Sequence, residues 1–383
     1  MNNKKNYATG TRRDIIYLLH CNGILTYRSI RILPKSFGVH RTITQKLNEM
    51  LEEKVLEKAK STSRIVQQNF FYMRDYERNS KKTSVGIPQE CVDYYRTYYK
   101  EIIRALWTSK SSIVTRKILE SEINIFMFSA GIDAMPDQNN DDNAKYFGAR
   151  EIKRYTGHKD DMDEKDGEKK VKFSKIFGLL LSNGGNYGIY HTYKSGLTKL
   201  SGGEQKILYQ LNSITREMKG PNESIGSAIV VVKDLKSLVK NVDIENFESQ
   251  EALNYYNFET VYDRIYAIPY SESGRDALTL MTREGWRMKM IVAATGEYQD
   301  TSHMPYVCDH YDNQNDVSTL VFCSPDIIRL KKFIAKAKME NNRDKFRVIC
   351  FDYQKEFVKA IVKQNALIYT TPFDEYFRKE NLS

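Results

Sequence analysis

Between Thr11 and Met73 the spacing of apolar residues switches from helical to alternating, and this switch restricts the fold more than any other feature of the chain. Ile15, Ile16, Leu18 and Leu19 are spaced for one face of a helix that Asn22-Gly23 stops. Thr26 is placed to cap a second helix, with Ile30 and Leu33 inward, running to about Phe37. Gly38 makes a turn. A third helix, from about His40 to Lys54, sets Ile43, Leu47, Met50 and Leu51 in one stripe at i, i+4, i+7 and i+8. Val55 to Lys60 then alternates, Ser61-Thr62-Ser63 turns, and Ile65 to Met73 returns as a second strand.

Three helices followed by a two-stranded wing predict a winged helix-turn-helix. The outward face of its third helix carries Arg41, Thr42, Thr44, Gln45, Lys46 and Asn48. Arg28 lies on the second helix, and Lys58, Lys60 and Arg64 lie near the wing tip. These are the side chains that reach base edges or phosphates when such a helix enters a major groove. A unit of this kind serves equally well as a scaffold or a protein-docking module, so the charge distribution has to decide. Residues 1–74 hold fourteen Lys/Arg against five Asp/Glu, a net +9, and the whole chain carries only +10. The other 309 residues therefore share the remaining +1. A basic excess this localised is the footprint of a phosphate-binding face. The expected partner is double-stranded DNA, bound sequence-specifically, with a homodimer on paired half-sites.

At 383 residues the chain has room for more than one domain. Cys21, Cys91, Cys308, Cys323 and Cys350 are odd in number and lack CxxC spacing, which argues for a reducing cytosol and no disulfide framework. The N-terminus is polar and no apolar run approaches 18 residues, so neither a signal peptide nor a membrane helix is expected, and the expected location is cytoplasmic, with the nucleoid or a plasmid.

The organisation predicted is a winged helix over 1–74, a linker and helical connector over 75–145, and a mixed β-sheet flanked by helices over 146–383, α+β to α/β in class. In the connector, Pro88 to Trp107 and Thr115 to Ala130 are helical in pattern; Tyr94, Tyr95, Tyr98 and Tyr99 are read as packing rather than base-stacking. Residues 157–170 form an acidic surface excursion whose Asp161-to-Gly167 run only imitates a calcium loop. Strands are predicted at Phe173–Leu181, Gly188–Tyr193, Ser227–Lys233, Glu259–Tyr270, Arg287–Ala294, Val317–Phe322, Phe346–Phe351 and Ala366–Thr370. The first two are joined by a hairpin turn at Asn183-Gly184-Gly185-Asn186. Helices are predicted at Ser201–Glu217, Asp234–Lys240, Glu272–Glu284, Pro325–Met339 and Gln354–Gln364.

Catalytic patterns fall short. Leu200-Ser201-Gly202-Gly203-Glu204-Gln205 looks like an ABC-ATPase signature, but Tyr193 occupies the second glycine position of the nearest phosphate-loop candidate, Gly188 to Ser195. Ser201 and Glu204 read better as a capping box. His303, Cys308, Asp309, His310 and Asp312 share a loop without the spacing of a zinc site. The hairpin 173–193 has no Asp or Glu for a nuclease centre, and Glu204-Gln205-Lys206 has E-x-K spacing on a predicted helix. No cofactor is expected, and Mg²⁺ enters only in an enzymatic alternative. There the winged helix would deliver a nicking domain, using metal (Asp263 the candidate ligand) or one of 26 tyrosines. A third alternative is a ligand-responsive regulator with its site at the strand ends Asp234, Tyr270 and Asp352.

Arg12-Arg13-Asp14-Ile15-Ile16 through Leu51-x4-Leu56, then Ala149-Arg150-Glu151-Ile152-Lys153, Ser174-Lys175-Ile176-Phe177-Gly178 and Ile189-Tyr190-His191-Thr192 resemble the replication-relaxation family of Gram-positive mobile elements. The resemblance covers 1–75 and, more loosely, 145–215. It implies a role on plasmid or integrative-element DNA, in replication or transfer, with a replication or transfer protein as partner. It implies no catalytic residues.

Overall fold

A computed structural model describes residues 10–53, 55–61, 68–73, 111–134, 144–148, 152, 175–192, 197, 200, 202–243, 245 and 248–376. The fold is mixed α and β, with three sheets, and divides into two units. One comprises 1–129 with 133–139, the other 130–132 with 140–383.

In the first unit, α1 (Gly10–Asn22) stops at Gly23, whose positive φ of 74° lets its N–H return to the Leu19 carbonyl at 2.7 Å. After β1 (Leu25–Thr26), Thr26 caps α2 (Tyr27–Ile32) by accepting the Ser29 N–H at 3.1 Å, as its position predicts. Yet α2 ends at Ile32, not near Phe37. Pro34 has no N–H to continue the ladder and biases Leu33 to an extended conformation, here ψ 141°. Only a single 3₁₀ turn, Lys35–Phe37, follows before Gly38 turns the chain at φ 103°. α3 (His40–Glu52) buries Ile43, Leu47 and Met50, while Leu51 is only partly covered. β2 (Leu56–Lys60) pairs antiparallel with β3 (Asn69–Met73), and β3 pairs in turn with β1, giving the order β1-β3-β2.

α4 (Ser111–Ser129) lies in the stretch read as connector, and it packs against α1, α2 and β1. Its Glu122 is wholly buried and accepts from Thr26 Oγ1 (3.3 Å), Arg28 Nη1 (3.4 Å) and Gln68 Nε2 (2.8 Å). The predicted helix 88–107 and the acidic run 157–170 lie outside the described residues.

The second unit opens with a five-stranded sheet, β4 (Lys145–Gly148), β5 (Ile176–Ser182), β6 (Gly185–His191), β7 (Ser227–Val232) and β8 (Arg264–Pro269), in sequential order. The first three strands are antiparallel and the last three parallel. The crossovers are α5 (Gly202–Lys219), then a 3₁₀ turn capped by Asp234 that runs into α6 (Val239–Val242), and α7 (Gln250–Glu259). α8 (Glu272–Met281) and α9 (Trp286–Thr295) lead to a four-stranded sheet. Its strands are β9 (His310–Asp312), β10 (Val317–Val321), β11 (Phe346–Phe351) and β12 (Leu367–Thr371), with β9 antiparallel to β10 and the others parallel. α10 (Ile327–Glu340) and α11 (Lys355–Val362) make the crossovers. One hydrophobic core runs through both sheets, and the Ala267 N–H of β8 donates to the Pro325 carbonyl at 2.9 Å.

Two predicted strands are corrected. Arg287–Ala294 is the helix α9: Trp286, Met290 and Ile291 are buried, a helical spacing, and positive-φ glycines at 285 and 296 bound it. Glu259–Tyr270 is strand only from Arg264; Glu259 ends α7 and Thr260 is its C-cap, and Ser249 caps the other end by accepting the Ala252 N–H at 3.1 Å.

Candidate nucleic-acid interface

The buried stripe of α3 fixes which side chains face outward. Arg41, Thr42, Gln45 and Asn48 are exposed, while Thr44 and Lys46 are partly covered. Val39 at the N-cap is 71% exposed and makes no side-chain cap bond, so no side chain of the cap competes with an anion at the positive end of α3.

Ion pairing then divides the cations. Glu49 of α3 gathers Lys46 Nζ (2.8 Å), Arg12 Nη2 (2.7 Å) and Gln45 Nε2 (3.1 Å). The Lys46 bond first, then the Arg12 bond, hold the Glu49 carboxyl below the usual carboxylate range. Arg12 also binds Glu53 at 2.6 Å, and Arg13 pairs with Asp14 at 3.0 Å. Arg28 turns inward to the buried Glu122 and is only 19% exposed, which makes it a poor phosphate contact. Among the described residues, Arg31, Arg41, Lys58 and Lys60 are exposed and carry no ion pair. The Lys58 ammonium stands 5.5 Å from the Tyr27 ring centroid, a contact that keeps its charge available. Arg64 lies outside the described residues. Arg31 is the residue that pattern reading passes over. Its outward direction follows from Ile30, Ile32 and Leu33 being buried around it.

The other candidate residues have local partners. Asp309 is buried between Arg287 (3.0 Å) and Arg329 (2.6 Å), His310 meets Glu297 (3.2 Å), and Asp312 caps the turn at Gln314 and Asn315. Cys308 is buried, and burial pushes its thiol up from the ordinary range. Among the described residues no three His, Cys, Asp or Glu side chains converge. Asp263 is exposed in the turn before β8 rather than on the strand. Glu204 is fully buried on α5 and accepts the backbone N–H groups of Lys175 and Ile176, so it holds the start of β5; Ser201, its partner in the predicted capping box, lies outside the described residues. At the strand ends, Asp234 takes the Lys236 N–H (2.9 Å), Asp352 takes the Tyr353 N–H (2.9 Å), and Tyr270 stacks on His191 at 5.8 Å. The Tyr190 and Tyr262 hydroxyls hydrogen-bond each other at 2.8 Å, and burial raises both phenols.

Among the described residues no helix is long and apolar enough to cross a membrane. Comparison of the chain with protein-family models, curated proteins and solved structures returned no match.

Proposed function

We propose that the first unit is a winged helix that binds double-stranded DNA sequence-specifically, with α3 in the major groove and the β2–β3 hairpin on phosphates. The observation that carries this reading is the exposed face of α3, where Arg41, Thr42, Gln45 and Asn48 stand outward from an uncapped N-terminus. The order α1-β1-α2-α3-β2-β3 and the sheet order β1-β3-β2 support it, as does the net +9 of residues 1–74. In this reading Arg41, Gln45 and Asn48 address base edges, and Arg31, Lys58 and Lys60 address phosphates. A homodimer on paired half-sites and a replication or transfer protein as partner belong to the same proposal. The resemblance to the replication-relaxation family supports a role on mobile-element DNA.

The test is a triple variant, Arg41→Glu with Lys58→Glu and Lys60→Glu, titrated against DNA at several salt concentrations. Binding should weaken by at least about 100-fold, and the slope of log K against log salt should fall by about 0.9 for each phosphate that the variant no longer neutralises. Unchanged affinity with an intact circular-dichroism spectrum removes the assignment. Footprinting with the parent protein on DNA flanking its own gene supplies the site.

A further inference from the structure

The second unit contains a cavity of about 650 Å³ between α9, the loop 298–309, the start of β8 and the first turn of α10. Three arginines from separate elements line it: Arg264 opens β8, Arg287 is in the first turn of α9, and Arg329 is in the first turn of α10. Two buried carboxylates stand near them, Asp309 in the lining and Asp326 at the N-cap of α10. Asp309 Oδ1 accepts from Arg287 Nη2 at 3.0 Å and Arg329 Nη2 at 2.6 Å, and its Oδ2 accepts the Val321 N–H at 2.9 Å. Arg264 has no carboxylate within ion-pair distance among the described residues. The Arg287 Nε is buried with no hydrogen-bond partner. Burial lowers Arg329 from its ordinary range, Asp309 opposes that shift, and the charges of Arg287 and Arg264 add to it.

Burial favours the neutral form of Asp326, so the three guanidiniums face the charges of Asp309 and Asp300 in the lining, an excess of one positive charge at an open site. Collecting like charges in this way costs energy that an anion recovers. The guanidinium fork matches phosphate oxygens in pairs. The rest of the wall is mixed: Met288, Ile291 and Met304 with Tyr306 and a Tyr298 that is 57% exposed, beside the polar Gln299, Thr301 and Ser302. Asp300 on the outer loop accepts the Ser302 N–H at 2.9 Å, a bond that holds its carboxyl below the usual range and keeps it charged at the mouth of the site. A volume of this size lies within the range of roughly 300–1,000 Å³ that holds small organic ligands.

We infer that this cavity binds a phosphorylated small molecule of nucleotide size, with its phosphate on Arg264, Arg287 and Arg329 and its flat body against Tyr298 and the apolar part of the wall. The site lies wholly within the second unit, so the inference does not rest on the DNA-binding proposal.

The full-length chain is titrated calorimetrically with AMP, GMP, UMP, adenosine, inorganic phosphate and citrate, and its melting temperature is followed with each. At least one nucleotide should bind and raise the melting temperature, inorganic phosphate should bind at least about tenfold more weakly, and adenosine should not bind. Arg264→Gln removes no partner of Asp309 but does remove a hydrogen bond to Tyr266, so its circular-dichroism spectrum and ligand-free melting temperature are first matched to the parent's. It should lose at least about tenfold in affinity for both nucleotide and phosphate. Tyr298→Ala should weaken the nucleotide and spare phosphate. The inference is overturned if none of the three nucleotides binds at millimolar concentration, or if binding survives Arg264→Gln unchanged. It is also overturned if citrate, rather than a nucleotide, shows the dependence on Arg264.

Discussion

Asp326 shows how one side chain can serve the fold at an electrostatic cost. Its Oδ1 caps α10, accepting the Ile328 and Arg329 N–H groups at 3.1 and 3.3 Å, while Oδ2 is buried without a partner. Burial pushes the carboxyl above its usual range; the Arg329 N–H and the charges of Arg329, Arg287 and Arg264 only partly offset this. The folded state therefore holds that proton more tightly than the unfolded chain. The resulting stabilisation is complete below the ordinary carboxylate pKa and is lost as pH rises through the higher native one. Asp326→Asn keeps the capping oxygen and removes the charge. Urea unfolding from ~pH 4 to ~8 should show the parent protein losing stability with rising pH relative to the variant. Parallel pH profiles would mean that Asp326 ionises without penalty. The predicted helix start at Pro325 put Asp326 inside the first turn rather than at the cap, and its neighbourhood was not legible either. Arg264 and Arg287 reach it only through the tertiary fold, and the same distance in sequence hid the burial of Arg28 against Glu122.

At the scale of elements, periodicity identified most strands and helices because burial on one face enforces it, as in α3 and α11. It failed where a short, nearly all-apolar run satisfies both periods. Met288, Met290 and Val292 alternate like a strand, yet the segment is α9. Close approaches between elements were equally illegible. Gly274 lies in the first turn of α8, and a Cβ added there would stand 1.8 Å from the Pro269 carbonyl oxygen of β8. Helix propensity alone favours Gly274→Ala by about 1 kcal/mol. The contact reverses the sign, because the helix must move off the strand; overpacking of this kind costs about 1–3 kcal/mol. Chemical denaturation should show the alanine variant destabilised, and equal or greater stability would mean that α8 tolerates the shift. Gly184 faces the same constraint at the hairpin, where a Cβ would lie 1.9 Å from the Met281 carbonyl oxygen. The turn was legible from Asn183 to Asn186, but its approach to the end of α8 was not.

At the scale of the whole molecule, the question is whether affinity for DNA follows net charge or its placement. The chain carries +10, with +9 in residues 1–74. Arg12, Arg13 and Lys46 pair with Asp14, Glu49 and Glu53, acids that this net figure already subtracts, while Arg28 pairs with Glu122 outside the stretch and lowers it by one, so placement of the exposed cations matters more than the count. Reversing Arg41, Lys58 and Lys60 to Glu removes two charges at each position and takes the chain from +10 to +4. Reversing Lys332, Lys338 and Lys359 makes the same change in the second unit, at side chains that are 56%, 50% and 53% exposed. If long-range attraction to the net charge governs binding, the two triple variants lose the same affinity for a DNA duplex and elute alike from heparin. If specific phosphate contacts govern it, only the first variant loses the salt-dependent component, since the second leaves Arg41, Lys58 and Lys60 in place. The expected outcome is early elution and weak DNA binding for Arg41/Lys58/Lys60, with the second variant close to the parent at 0.1 M salt. Equal losses would reduce the basic N-terminal unit to a non-specific polyanion attractor and withdraw α3 as a reader of sequence.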